Sequence, residues 1–303
     1  MKKNAKAEHY QGSHIKTSIS YRIFTICNAM IMLTVIVLTL YPFATLIAKS
    51  FSSEAAIMSG QVSIWPKGFN VLTYKFLMRD RVFWINYRNT LIYTVVGTFI
   101  SMVITTIVAY VLSKKNLLWR NAILFFVVFT MFVQGGLIPN YVLVTSLGLR
   151  NTIWAVTLPS ALSVFNMLIM KTFFEGLPVE LEEAAEIDGY GKIGIMLKVC
   201  LPLSKAIIAT MTLFYAVSNW NSWFNAFLYL DNRLEQPVSI YLRNLIAGLT
   251  GANDVASGAD AGARIAANLQ SVAIVLTMLP IMCVYPFVQK HFVKGVMLGS
   301  IKS

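Results

Sequence analysis

An all-α membrane protein of six transmembrane helices is the fold the sequence predicts, on three observations. Apolar residues make up 57% of the 303 and charged residues only 13%, about half the charged share of an ordinary soluble domain. The apolar surplus is gathered into six stretches without a charged residue, at 23–48, 90–112, 121–149, 151–170, 206–230 and 265–289. Each reaches the ~20 residues that a helix needs to cross ~30 Å of hydrocarbon, and a lipid-exposed backbone satisfies its own hydrogen bonds best as a helix. The cations, finally, flank these stretches.

Residues 1–22 read as a cytoplasmic segment, because Lys2, Lys3, Lys6, Lys16 and Arg22 mark the inner side of a membrane. The stretch at 23–48 exceeds the apolar part of a signal peptide and lacks a clean small-residue cleavage site, so it reads as a permanent anchor. Six spans return the chain to the same side, where the tail 290–303 carries Lys290, Lys294 and Lys302; both termini are expected in the cytoplasm. The basic turn of Lys114, Lys115 and Arg120 agrees, whereas residues 49–89, with six cations, are unusually basic for an outer segment. In the third stretch Gly135, Gly136 and Pro139 break the pattern, so its helix should end there and the remainder line an outer vestibule.

Several function classes lose their basis. The net charge of +12 lies around the spans rather than in a stripe interleaved with aromatics, which gives no nucleic-acid surface. No carboxylate lies within any span, where ion-coupled carriers keep such groups despite a cost of at least ~2.5 kcal/mol each. No phosphate-binding loop is present for hydrolysing ATP, and His9, His14 and His291 sit in the polar tails, at no zinc-ligand spacing. Cys27, Cys200 and Cys283 have no metal or disulfide spacing either. A secondary carrier and a membrane enzyme are therefore the weaker readings.

The loop 171–205 holds six of the thirteen acids, five of them as Glu180, Glu182, Glu183, Glu186 and Asp188. Pro178 suits a helix start, and acids in the next turns complement the positive end of the helix dipole. Ala184 and Ala185 make a small-residue patch before Gly189 and Gly191 allow a turn. A second short helix puts Ile193, Met196, Leu197 and Cys200 on one face until Pro202 stops it. Membrane-surface helices are normally basic, so an acidic helix–turn–helix is expected to plug a groove in a partner protein.

Glu183-Ala184-Ala185, Asp188-Gly189 and Leu201-Pro202 resemble the Glu-Ala-Ala loop of permease subunits in binding-protein-dependent ABC importers. Arg88-Asn89-Thr90, the run Ala109 to Lys114 and the tail Phe292 to Lys302 are similar to the carbohydrate-uptake branch, of maltose-transporter type and nearest the lipoprotein-dependent permeases for complex oligosaccharides. The resemblance implies a type I ABC importer permease domain over 23–289. In it Glu182, Glu183, Ala184, Ala185, Asp188, Gly189, Leu201 and Pro202 couple the chain to an ATPase. It also implies a second permease subunit, two cytoplasmic ATPase subunits holding ATP and Mg, and an extracytoplasmic solute-binding protein. No cofactor is expected on this chain itself.

The end of the fifth stretch alternates aromatics and amides in Tyr215, Asn219, Trp220, Asn221, Trp223 and Asn225. Rings stack on sugar C–H faces and amides bond hydroxyls, so this row and Gln134 form a candidate oligosaccharide path; the same residues also suit a membrane interface or helix–helix contacts. The Gly- and Ala-rich outer loop 231–268 reads as a linker or, by the resemblance, as the loop that probes the binding protein's sugar cleft.

Overall fold

The computed structural model describes residues 19–133, 135–255 and 268–283, and among these it is helical without a strand. The first helix, α1 (Ile19–Ser50), starts inside the segment read as cytoplasmic. Its apolar side chains point outward along nearly its whole length, and only Ala48 and Ser50 are buried. Thr25, Thr34 and Thr39 donate to the carbonyls of Tyr21, Met30 and Val35 at 2.8–2.9 Å. No hydroxyl among the three is left bare to hydrocarbon.

Two short helices follow, α2 (Glu54–Met58) and α3 (Leu72–Arg79). Asp80 then caps α4 (Arg81–Ser113) by accepting from the Val82 and Phe83 amides. The central helix is α4. Its residues Gly97, Ser101, Thr105 and Ala109 recur every fourth position and are buried, a small-residue ridge that lets other helices approach closely. An alanine's Cβ at position 97 would lie 3.0 Å from the Asn219 Cγ.

The third stretch is two helices, α5 (Arg120–Phe132) and α6 (Leu137–Ser146), and the chain re-enters helix at Gly136 with φ +89°, a value glycine takes readily. The predicted break at the glycine pair is thus present. The fourth stretch is not one helix but two, α7 (Ile153–Thr157) and α8 (Val164–Glu175), separated around Pro159 and restarted by Ser163, whose side chain accepts from the Asn166 amide at 3.3 Å. The segment read as a loop from 171 therefore begins inside α8.

Beyond it lie α9 (Val179–Ile187), α10 (Lys192–Leu203), α11 (Lys205–Asn221), α12 (Phe224–Tyr229), α13 (Val238–Val255) and α14 (Asn268–Cys283). Two predictions for α10 need correction. Its fully buried side chains are Ile195 and Cys200, with Met196 and Val199 partly buried against the same core, while Ile193 is 72% and Leu197 52% exposed. A π-turn at Met196–Cys200 brings residues five apart into line, displacing the three-and-four face. Pro202 does not end the helix; the 86° corner to α11 falls at Ser204. The wide turn before it relieves the clash between a proline ring and the preceding carbonyl.

Helices α1 and α4 are each long and apolar enough to cross a membrane, and the bent pairs α5–α6 and α10–α11 pass the same test jointly. Six unbroken spans are therefore not what the described residues form. Both termini lie outside them.

Candidate functional site

Helix α9 follows Pro178 and carries Glu180 and Glu182 in its first turn, at the positive end of its dipole. It ends in a turn at Gly189, φ +82°. The amides of Asp188, Gly189 and Tyr190 donate to the carbonyls of Ala184, Glu186 and Ala185, each at 3.0 Å. That closure satisfies the last carbonyls of α9 and ends it before α10 begins.

One face of α9 is tied to the bundle. Glu182 pairs with Lys114 at the end of α4, and the Lys114 ammonium lies 4.1 Å from the Tyr110 ring centre. The Cys200 Sγ is 3.5 Å from the same carboxylate. Ala185, 6% exposed, packs in one core with Ala109, Tyr110, Phe174, Ile195 and Cys200. Alongside, Glu175 pairs with Arg120 and, at 2.9 Å, with Lys171, while the Arg120 Nε donates to the Leu112 carbonyl at 2.8 Å. These bonds join the ends of α4 and α8 to the start of α5.

The other face is bare. Glu183, Ala184, Asp188 and Gly189 are exposed, and Ile187 is 87% exposed. Val179, Glu183 and Ile187, four apart, form an outward stripe. Leu201 packs partly into the core and Pro202 is exposed. The two alanines of the small-residue patch thus divide, one inward and one outward.

The aromatic–amide row is less uniform than its sequence. The Tyr215 hydroxyl lies 2.6 Å from the Thr105 Oγ1 and accepts from the Ser163 amide at 3.1 Å, joining α11, α4 and the start of α8. Asn219 lies against Gly97 and donates to the Thr98 Oγ1 at 3.4 Å. Trp220 is buried edge-on against Tyr87, ring centres 5.8 Å apart, and the Asn225 Nδ2 donates to the Val156 carbonyl at 3.4 Å. Asn221 and Trp223 are exposed. Gln134 lies outside the described residues.

Two relationships escaped the sequence reading. Lys114 and Arg120 were legible only as markers of membrane orientation, although six acids in the later loop were available to them. Asn151, at φ +59°, accepts from the Asp231 amide at 2.9 Å and donates to the Asp231 Oδ2 at 3.0 Å, while its own amide donates to the Tyr229 carbonyl at 2.9 Å. Only the Asn151 residue type, which tolerates a left-handed backbone, hinted at this clamp.

Residues 86–298 match the family described as binding-protein-dependent transport system inner membrane component. The chain belongs to that family. It is a membrane permease of ABC importers and not itself an enzyme. The permease is similar to Protein LplC of Bacillus subtilis (strain 168), 41% identical over 284 residues that cover 93% of this chain and 95% of LplC. It is also similar to the polygalacturonan/rhamnogalacturonan transport system permease protein YtcP of the same organism, 36% identical over 285 residues, 93% of this chain and 99% of YtcP. One solved structure, of a bacterial ABC transporter involved in the import of the acidic polysaccharide alginate, contains a chain with TM-score 0.83 and 33% identity. The match covers 91% of the permease and 99% of that chain. The all-helical type I permease fold accounts for the agreement.

Proposed function

We propose that the permease moves an oligosaccharide delivered by an extracytoplasmic binding protein, as one of two related permease subunits, with six passages of the membrane and both ends in the cytoplasm. Two ATPase subunits, with ATP and Mg, drive it through α9 and α10. The observation that carries this reading is the two-sidedness of α9. Its inner face is held by Glu182–Lys114 and Ala185, and its outer face offers Glu183, Ala184 and Ile187. A helix gripped on one side and bare on the other suits a lever: closure of the ATPase pair moves α9, and the ion pairs pass the displacement to α4, α5 and α8. The named substrates of YtcP and of the alginate importer support a saccharide cargo.

The test replaces Glu183 with Lys in the assembled importer. The ATPase subunits should no longer copurify and uptake should stop, while the chain stays in the membrane with its partner permease. Wild-type copurification and uptake would remove α9 from the coupling role.

A further inference from the structure

We propose that Arg243, laid across Trp223 and Phe227, is a subsite for the carboxylate of an acidic sugar; this rests on the saccharide-import reading above. Trp223 and Phe227 are four apart, joined by the bond from the Phe227 amide to the Trp223 carbonyl at 2.8 Å, so their side chains share one face of α12. Helix α13 is held against that region by the Ser239 hydroxyl, which donates to the Ser222 carbonyl at 3.2 Å, and by Ile240, buried with Val156, Ala226 and Leu230. Arg243 comes one turn after Ile240. Its guanidinium carbon sits 4.1 Å from the Trp223 ring centre and 4.8 Å from that of Phe227.

Stacking holds a guanidinium by its flat face and leaves its N–H edges outward, in the fork that matches a carboxylate. Arg243 is exposed, and among the described residues it takes part in none of the ion pairs. Trp223, 37% exposed, keeps ring surface available for a sugar's C–H face. Asn244 is exposed nearby in sequence, and Asn221, whose Nδ2 donates to the Val217 carbonyl at 3.0 Å, keeps its amide oxygen for a hydroxyl.

The location fits the incoming side. Near Arg243, the Tyr241 hydroxyl donates to the Asp80 Oδ2 at 2.6 Å and the Val238 amide to the Thr90 Oγ1 at 2.8 Å. Both partners lie at the start of α4, opposite the end that Glu182 grips. Residues 49–89, which lead into this end, hold six cations against the two acids Glu54 and Asp80. That surplus runs against the usual distribution of charge around spans, and it favours the approach of a polyanion. Arginine and tryptophan also meet lipid phosphates at membrane interfaces; exposed amides on both contributing segments favour the sugar.

The test uses the assembled importer in proteoliposomes, with trigalacturonate and its uncharged methyl ester as paired probes. Arg243→Gln should lower the acid-to-ester uptake ratio by about tenfold or more, and Arg243→Lys, which keeps charge but loses the planar stack, should restore it only in part. An unchanged ratio, or equal loss of both probes, overturns the subsite. So does a loss that follows the anionic lipid content of the vesicles instead of the probe's charge. A wild-type importer that moves the ester and not the acid also overturns it while saccharide import stands. One that moves neither overturns the subsite as well, and the saccharide-import reading then falls only if neutral oligosaccharides are not taken up either.

Discussion

Glu182 and Glu183 are neighbours in sequence and face opposite ways: Glu182 pairs with Lys114 at the end of α4, and Glu183 is exposed with no ion pair among the described residues. The side chains of consecutive helical residues diverge by about 100°, so one acid can hold the helix while the next meets a partner. The two should therefore fail differently when replaced.

Glu182→Ala leaves Lys114 without its carboxylate at a site where the lysine side chain is 25% exposed. Losing one partner of such a pair costs ~1–3 kcal/mol, enough to loosen α9 on the bundle. Uptake should fall about tenfold while the ATPase subunits still copurify, the opposite of the Glu183→Lys pattern. Exchanging the charges, Lys114→Glu with Glu182→Lys, should recover part of the loss. Full uptake by Glu182→Ala would show that the pair does not transmit the stroke.

Gly97 sets how close α4 and α11 come. Adding a Cβ there places it 3.0 Å from both the Cγ and Oδ1 of Asn219, and overpacking of this kind costs ~1–3 kcal/mol. Gly97→Ala should lower the melting temperature of the purified permease in detergent. Trimming the opposing side chain with Asn219→Ala should relieve much of that in the double variant, because the two residues share one contact. Strictly additive losses would mean that the clash is not what limits the approach.

Much of this arrangement is readable in the chain, and the remainder fails for a physical reason. Hydropathy reports which segments prefer lipid, and Gly136 and Gly189 mark turns because their backbone angles suit glycine. Helix continuity is different. The fourth stretch is as apolar as the others, yet it breaks before Ser163, whose amide is satisfied by Tyr215, 52 residues further along. A break inside a buried apolar stretch is tolerated where distant groups satisfy the freed backbone, and no local pattern announces a donor or acceptor so far away. The Lys114–Glu182 pair, 68 residues apart, is hidden in the same way. The division of Ala184 from Ala185 also depends on which face of α9 meets the bundle.

The clamp between Asn151 and Asp231 makes a pH-dependent contribution whose sign is fixed. Hydrogen bonds from Asn151, and then from Arg150 at 2.9 Å, hold the Asp231 carboxyl below its ordinary value of 3.8. A carboxyl with a lowered folded-state pKa adds stability that is present above its unfolded value and is lost as pH falls through the folded one. The melting temperature of wild type should therefore exceed that of Asp231→Asn at neutral pH, and the gap should close only as the solution is taken below 3.8. Because the Asp231 side chain is 56% exposed, the gap should be modest and should shrink in high salt. Asn151→Gly, which keeps the left-handed backbone accessible and removes the side-chain bonds, should narrow the pH-dependent part in the wild-type background. A gap that is constant with pH would assign the effect of Asp231→Asn to packing and not to the charge.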